Sequence, residues 1–564
     1  MEASTPLASE ARAGATQRVD FDPVSRVAGA LSFHTVVDLD RGSVLDSAAM
    51  ATLYRGYEVI LGGRDVRDAI FISSRACGVC GGAHATCSAL ACEMAFGVQP
   101  PPMAIAARNL MSALEYLYDH PLQLFVRAGP DYSEPTVRAT SPELWEQAER
   151  APAPGRATHG FERIADIMTA LTPVSGELYV EAFTMGRTAR EAYVLIGGKY
   201  PHPQTIVPGG VSSTIDPSDL NLMLLRVVKF LDYAQRVVTI WDDIVEFLYE
   251  AEPRYRDLGV GPKSFIDLGQ WDDPLAYDAT FENAPLWGER RWATPGVIVD
   301  GRLVTTSLPE INARVEESVG HSFYDEWRPD AFNTDRVGNR LSANHPAGKE
   351  TIPQPAEPSA RGKYSWSTAP RWDGHVMETG AYSRLWTTAM ANKLPHRRFI
   401  EPTGQSLRLS VPQGGLPGAV LEWRLPERWG TLERTRAQAY AFAYSALVAY
   451  EHVLVGLDFK RTGEARISAP YTVPKDVAVG DGFWGGARGY LSHHMIAEGG
   501  VIANYQILAP SSWTMSPRDA AGHPGPCEQA VLATPLLSRG APESYIDILR
   551  TIRSFDPCMA CAAH

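Results

Sequence analysis

Two Cys-x-x-Cys turns stand 478 positions apart, one near each end of a chain of 564 residues. The first is Arg75-Ala76-Cys77-Gly78-Val79-Cys80, followed by Gly81-Gly82-Ala83-His84. The second is Asp556-Pro557-Cys558-Met559-Ala560-Cys561, followed by Ala562-Ala563-His564. Each turn lets two sulfurs converge on one cation, and two turns supply four, a donor set for zinc, nickel or an iron–sulfur cluster. A structural zinc tetrahedron is the plainer reading of the spacing. Zinc ribbons, however, join their knuckles through short loops, whereas this site forms only once the whole chain has folded. Any fold adopted must bring both chain ends to one point. The remaining cysteines, Cys87, Cys92 and Cys527, read as small core hydrophobes, and seven cysteines in so long a chain make no disulfide framework.

The charge balance, 65 acidic against 52 basic residues and a net −13, disfavours a nucleic-acid backbone or an anionic membrane as partner. No uninterrupted apolar run approaches 18 residues. The opening residues carry neither an apolar signal region nor a twin arginine, so no transmembrane segment is expected and the location expected is cytoplasmic. The length allows several domain-sized units, but no Pro/Ser linker and no internal repeat divides it. One intergrown α+β body follows: a long central helix bundle with small peripheral sheets. The pattern predicts a tail over 1–18, an early hairpin over 19–45, and helices over 78–98, 101–127, 161–198, 217–251 and 437–457. It also predicts a Pro/Gly-rich surface insertion over about 129–160 and short strands in 260–425.

With these residues in view, the chain resembles the large, catalytic subunit of nickel–iron hydrogenases over nearly its full length. The two cysteine blocks are that family's signatures. Asp22-Pro23-Val24-Ser25-Arg26, Arg55-Gly56-Tyr57-Glu58, Asp119-His120, Gly197-Gly198-Lys199-Tyr200-Pro201-His202, Ala487-Arg488-Gly489 and Pro510-Ser511-Ser512-Trp513 fall in the family's order. The resemblance implies a single large-subunit body over 19–564, its metal site built from 75–84 and 556–564. It implies heterolytic hydrogen oxidation at a nickel–iron centre whose iron carries carbon monoxide and cyanide. By the same match Cys77 and Cys558 are terminal nickel ligands, and Cys80 and Cys561 bridge nickel to iron. Arg488, Asp119 and Asp556 form a canopy over the open face, Ser511 and Pro510 border a cyanide, and His84 donates to a bridging sulfur. Glu58, the Ile507 carbonyl and His564 hold magnesium or a similar hard cation. In the family a precursor is cut after this histidine, and the ending here fits the cut form.

Two departures stand out. The family's first block continues Arg-Ile-Glu-Gly-His, its glutamate accepting a proton from a nickel cysteine; here Arg26-Val27-Ala28-Gly29-Ala30 has no carboxylate. The proline that precedes the canopy arginine is Ala487, after Gly485 and Gly486, which loosens the expected height of Arg488. These features resemble the actinobacterial-type, high-affinity, oxygen-insensitive uptake subgroup. With four cysteines assigned to one site, electrons must leave through iron–sulfur clusters of a small-subunit partner, in heterodimers that associate further. Carriage to a membrane or export with that partner is the alternative to a cytoplasmic location. A non-catalytic scaffold holding zinc is the reading of another class.

Overall fold

The computed structural model describes residues 16–325, 334–359, 362–396, 398–538 and 545–563. Residues 1–15 of the tail expected over 1–18, and His564, lie outside them. Four long helices make the centre: Pro102–Pro121, Glu177–Gly197, Pro217–Ala251 and Thr431–Thr462. Pro217–Ala251 starts on Asp216, whose side chain forms a reciprocal capping box with Asp219, and stops where Pro253 follows. Its buried stripe of Val227, Phe230, Leu231, Ala234, Val238, Trp241 and Val245 keeps helical period and packs on Thr431–Thr462. Thr431–Thr462 is long and apolar enough to cross a membrane by length and composition. Of its most apolar window, 72% is buried inside the protein, so those side chains already face other helices.

The sheets are small and antiparallel. Strands Thr16–Phe21, Leu31–Asp38 and Ser43–Ala51 form one sheet, so the expected hairpin has a third strand and residues 16–18 belong to it rather than to a tail. Strands Ala478–Gly486, Gly489–Glu498 and Val501–Leu508 form another. This second sheet lies on the helix Gly81–Phe96, which is buried on nearly every side. Contact is direct because the strand offers glycine: a Cβ at Gly480 or Gly482 would sit 1.9 Å from the Ala91 carbonyl oxygen or 2.0 Å from that of Cys87.

Three expectations differ in detail. The helix over 161–198 is two, Ile164–Ala170 and Glu177–Gly197, parted by Pro173 and by Gly176, whose Cβ would strike the Ala170 carbonyl. The helix over 101–127 is regular only to Pro121; Leu122–Ala128 continues as a π-helical turn, where proline has removed one N–H from the regular ladder. Residues 129–160, expected as a surface insertion, are largely helical, partly buried and exposed along much of their length. They form the short helices Gly129–Tyr132, Glu134–Thr140, Pro142–Ala148 and Arg156–His159, with Asp131, Val137, Trp145 and Ala148 buried. Asp131 is held inside by Arg553, whose Nη1 lies 2.8 and 2.9 Å from its two carboxylate oxygens.

Because the sheet touches the Gly81–Phe96 helix backbone to backbone, Gly482→Val is expected to destabilise the protein by about 3 kcal/mol, read as a lowered midpoint in thermal or denaturant unfolding. An unchanged midpoint would show that the contact yields.

Candidate metal centre

Both cysteine turns open helices. Cys80 is the N-cap of Gly81–Phe96 and Cys558 that of the short helix Met559–Ala562. Neither side chain caps its own helix, so both sulfurs are left for the site. All four sulfurs are buried and lie within 4.8 Å of one another. Cys80 is 2.8 Å from Cys77 and 3.3 Å from Cys561; Cys558 is 3.1 Å from Cys561 and 3.6 Å from Cys77. The amides of Val79 and Cys80 donate to Cys77 Sγ at 3.3 and 3.0 Å. The neighbouring thiols hold Cys558 well below the ordinary thiol range by donating to it, and Cys80 and Cys561 well above it. Four such groups ionise together only around a cation.

The chain ends are joined by several ties. Arg55 donates to the Ala76, Arg75 and Ala560 carbonyls, clamping one cysteine block to the other. Ser511 Oγ accepts from the Cys558 amide at 2.9 Å, and Pro510 opens the same short helix. Ala28 pairs with the second block: its amide donates to the Pro557 carbonyl at 3.1 Å, and its carbonyl accepts from Met559 at 2.7 Å. Gly29, at φ 85°, runs so close that a Cβ would lie 2.6 Å from the Ala560 nitrogen. Ala28 therefore lies beside Cys558, and its side chain is a methyl group that carries no proton. At the other cysteine block Glu115 supplies the missing cap, accepting from the Gly82 and Ala83 amides at 2.8 and 3.3 Å. Burial pushes its carboxyl far above the ordinary range.

Arg488 stands at the tip of a two-residue hairpin between Gly486 and Gly489. The flanking glycines are not loose. The Gly485 carbonyl accepts from Tyr116, the Gly486 carbonyl accepts from Arg384, and Gly489, at φ 106°, passes against Thr379. Nε of Arg488 donates to the Asp556 carbonyl at 2.9 Å, Nη2 to Asp556 Oδ1 at 2.9 Å, and Nη1 lies 2.7 Å from Asp119 Oδ2. Burial raises the Asp556 carboxyl to about 6 against the pull of Arg488. Asp119, equally buried, is held below the ordinary range because Arg488 and then Arg127 outweigh that burial. The Arg488 charge in turn helps hold Cys558 ionised.

His84 lies inside, its Nδ1 3.1 Å from His493 Nε2, and His493 continues to Tyr505 at 2.7 Å. Glu58 meets Ile507 through that residue's amide, at 3.0 Å, rather than through its carbonyl, and Lys349 Nζ lies 3.7 Å from Glu58 and 3.6 Å from Glu317. Among the described residues, the four cysteines form the one His/Cys/Asp/Glu cluster close enough to share a metal. Cys87, Cys92 and Cys527 are buried elsewhere in the core, two of them on the Gly81–Phe96 helix.

A sequence model described as nickel-dependent hydrogenase matches residues 55–151 and 169–564. The chain belongs to the nickel-dependent hydrogenase family. It is 28% identical over 615 residues to the uptake hydrogenase large subunit of Rubrivivax gelatinosus, spanning 97% of this chain and 95% of that one. It is 29% identical to the quinone-reactive Ni/Fe-hydrogenase large chain of Wolinella succinogenes, spanning 97% and 96%. Its fold matches the actinobacterial-type NiFe-hydrogenase from Ralstonia eutropha H16 with a TM-score of 0.94 at 39% identity, over 97% of this chain and all of that one. A [NiFeSe] hydrogenase of Desulfomicrobium baculatum matches at 0.74 and 26%, with the same coverage. The four buried, clustered sulfurs fit a nickel–iron group in donor softness and in number.

Sequence reasoning passed over the roles of Arg55, Glu115, Arg127 and Lys349. Arg127 follows Asp119 by eight positions, which in a regular helix leaves the two side chains about 80° apart around the axis; the π-helical turn brings them together. Glu115 gave no motif signal, since it caps a helix distant in sequence. Glu115→Ala leaves two buried amides without their acceptor, so this hydrogenase is expected to lose about 1–3 kcal/mol of stability and to retain less nickel. Glu115→Gln, which keeps one acceptor oxygen, should recover most of both, as unfolding and metal analysis would read; wild-type stability in the alanine variant would contradict the capping role.

Proposed function

We propose that this large subunit oxidises hydrogen in the uptake direction, at a centre held by Cys77, Cys80, Cys558 and Cys561. The observation that carries the reading is the convergence of both cysteine turns into one buried four-sulfur cluster. Cys77 and Cys558 would serve as terminal ligands and Cys80 and Cys561 as bridges. When bound, the nickel–iron pair, with carbon monoxide and cyanide on iron, supplies heterolytic cleavage of hydrogen into a proton and a hydride equivalent. The chain's own part is to exclude water, hold charge and move the proton. Arg488 presents a fixed positive charge beside Cys558. Ser511, its oxygen already accepting from the Cys558 amide, keeps a hydroxyl hydrogen to donate to an anionic diatomic ligand at the Pro510 corner. His84, one helical turn beyond Cys80, tunes the bridging sulfur through its ring.

The proton cannot pass to Ala28, so the canopy of Asp119, Asp556 and Arg488 takes part in its transfer. Glu58, the Ile507 carbonyl and His564 would hold a magnesium-like cation. In a strand, one residue's amide and carbonyl face the same edge, so the bond from the Ile507 amide to Glu58 turns the carbonyl to that side as well. The two electrons leave to an iron–sulfur small subunit, a partner in keeping with relatives named large subunit or large chain. Oxygen tolerance is proposed from the likeness to the actinobacterial-type enzyme. We place the protein in the cytoplasm, or at a membrane or beyond it where the small subunit is exported; fractionation of the heterodimer decides between them.

Metal analysis of the heterodimer should find about one nickel per large subunit, with one iron beyond those in the small subunit's clusters, and infrared bands of metal-bound cyanide and carbon monoxide, which no side chain produces. Zinc alone in stoichiometric amount would overturn the reading. Asp119→Asn should keep its nickel yet lose hydrogen/deuterium exchange by about tenfold or more; unchanged exchange would remove the canopy from the proton route.

A further inference from the structure

The two canopy carboxylates are braced from two sides. Arg488 Nη2 lies 3.2 Å from Asp119 Oδ1 and 2.9 Å from Asp556 Oδ1. Arg127 Nη1 lies 3.2 and 3.1 Å from the same two oxygens. Two guanidinium groups and two carboxylates thus close a square of four charges whose sum is zero. Its members differ in exposure. The side chains of Asp119, Asp556 and Arg488 are 0%, 4% and 3% exposed, whereas Arg127 is 13% exposed. Arg127 is the corner of the square that reaches toward solvent.

The chain holds that corner firmly. Arg127 comes from the π-helical turn Leu122–Ala128, and its carbonyl accepts from Arg26 Nη1 at 2.8 Å. Arg26, itself at φ 58°, also pairs with Asp131 and lies two residues before Ala28, which is bonded to the second cysteine block. One run of contacts therefore links the first block, the π-helical turn and the Cys558 segment. Without Arg127, two buried carboxylates would face a single guanidinium. One negative charge would stand uncompensated where water cannot screen it, and the pair would spread or draw Arg488 toward one member.

We propose that Arg127 is a positioning residue for the hydrogen reaction: it fixes Asp119 and Asp556 as a pair, so that Arg488 keeps one height beside the sulfur cluster. This rests on the reading of Arg488 as the cation over the reacting face. The structure also supplies the reason for the π-helical turn, since a regular helix would carry Arg127 off the face that Asp119 occupies.

The test compares purified wild-type heterodimer with Arg127→Leu, Arg127→Gln, Arg127→Lys and, as reference, Arg488→Lys. Nickel content, kcat, KM for hydrogen and the infrared bands of the metal-bound diatomic ligands are read for each. Arg127→Leu and Arg127→Gln are expected to keep their nickel and their KM, to lose kcat by about tenfold to a hundredfold, and to shift the infrared bands. Arg127→Lys, which returns a cation, should recover most of kcat and the band positions. A purely structural role would lower stability and leave bands and kcat per nickel unmoved. Wild-type kcat and bands in the Arg127 variants, beside a crippled Arg488→Lys, would overturn the proposal alone. An unaffected Arg488→Lys would overturn the canopy reading and the proposal with it. If Arg127→Leu fails to load nickel, Arg127→Gln decides in its place; loss of nickel in both would assign Arg127 to assembly of the site and overturn the positioning role.

Discussion

Four thiols packed within 4.8 Å cannot all ionise unless a cation lies among them, and the rest of this structure serves that arrangement. The sulfurs come from opposite ends of the chain, and the intervening residues form the shell that buries the point where the ends meet. Arg55 bonds both cysteine blocks, Ala28 and Gly29 run against the second, and Ser511 holds its first amide. The bonds from Arg55 to Ala560, from Ala28 to Pro557 and Met559, and from Cys558 to Ser511 all tie the last residues to segments far from them in sequence. The long helices and the small sheet are the means of this convergence: the sheet aims Arg488 from a hairpin tip, and the buried helix Gly81–Phe96 presents Cys80 at its start.

The second constraint is charge. Burial that protects a reactive centre also strips water from the groups that tune it, and this chain answers by pairing. Arg108 with Glu93, Arg291 with Asp272, Arg434 with Glu378 and Arg553 with Asp131 are all buried ion pairs. Such pairs contribute little net stability, yet removing one member is costly because the other stays buried and uncompensated. The canopy follows the same rule with two pairs sharing one place.

Much of this was legible in the residues. Spacing alone marked the four cysteines as one candidate donor set, and the 3.6-residue period of Val227 to Leu248 marked the longest helix. The family blocks then named Arg488, Asp119, Asp556 and Ser511, which the fold brings beside the sulfurs. What could not be read was contact between distant segments. Glu115 caps a helix that begins 34 positions before it, and Arg127 meets Asp119 only through a turn of irregular pitch. The stretch 129–160 looked like surface because of its prolines and charges. Its charges are in part internal, the Asp131 carboxylate being matched by Arg26 and by Arg553, which follows it by 422 positions. The freedom expected of Gly485 and Gly486 was likewise cancelled by Tyr116 and Arg384, partners no local pattern announces.

The central claim is that both ends of the chain meet on one nickel ion through sulfur alone. X-ray absorption at the nickel edge of the purified heterodimer tests it most directly. The account predicts a first shell dominated by the four sulfurs of Cys77, Cys80, Cys558 and Cys561, with iron as the next heavy scatterer, and loss of part of that sulfur shell in Cys558→Ser. A shell dominated by nitrogen or oxygen, or a sulfur shell unchanged by that substitution, would contradict it.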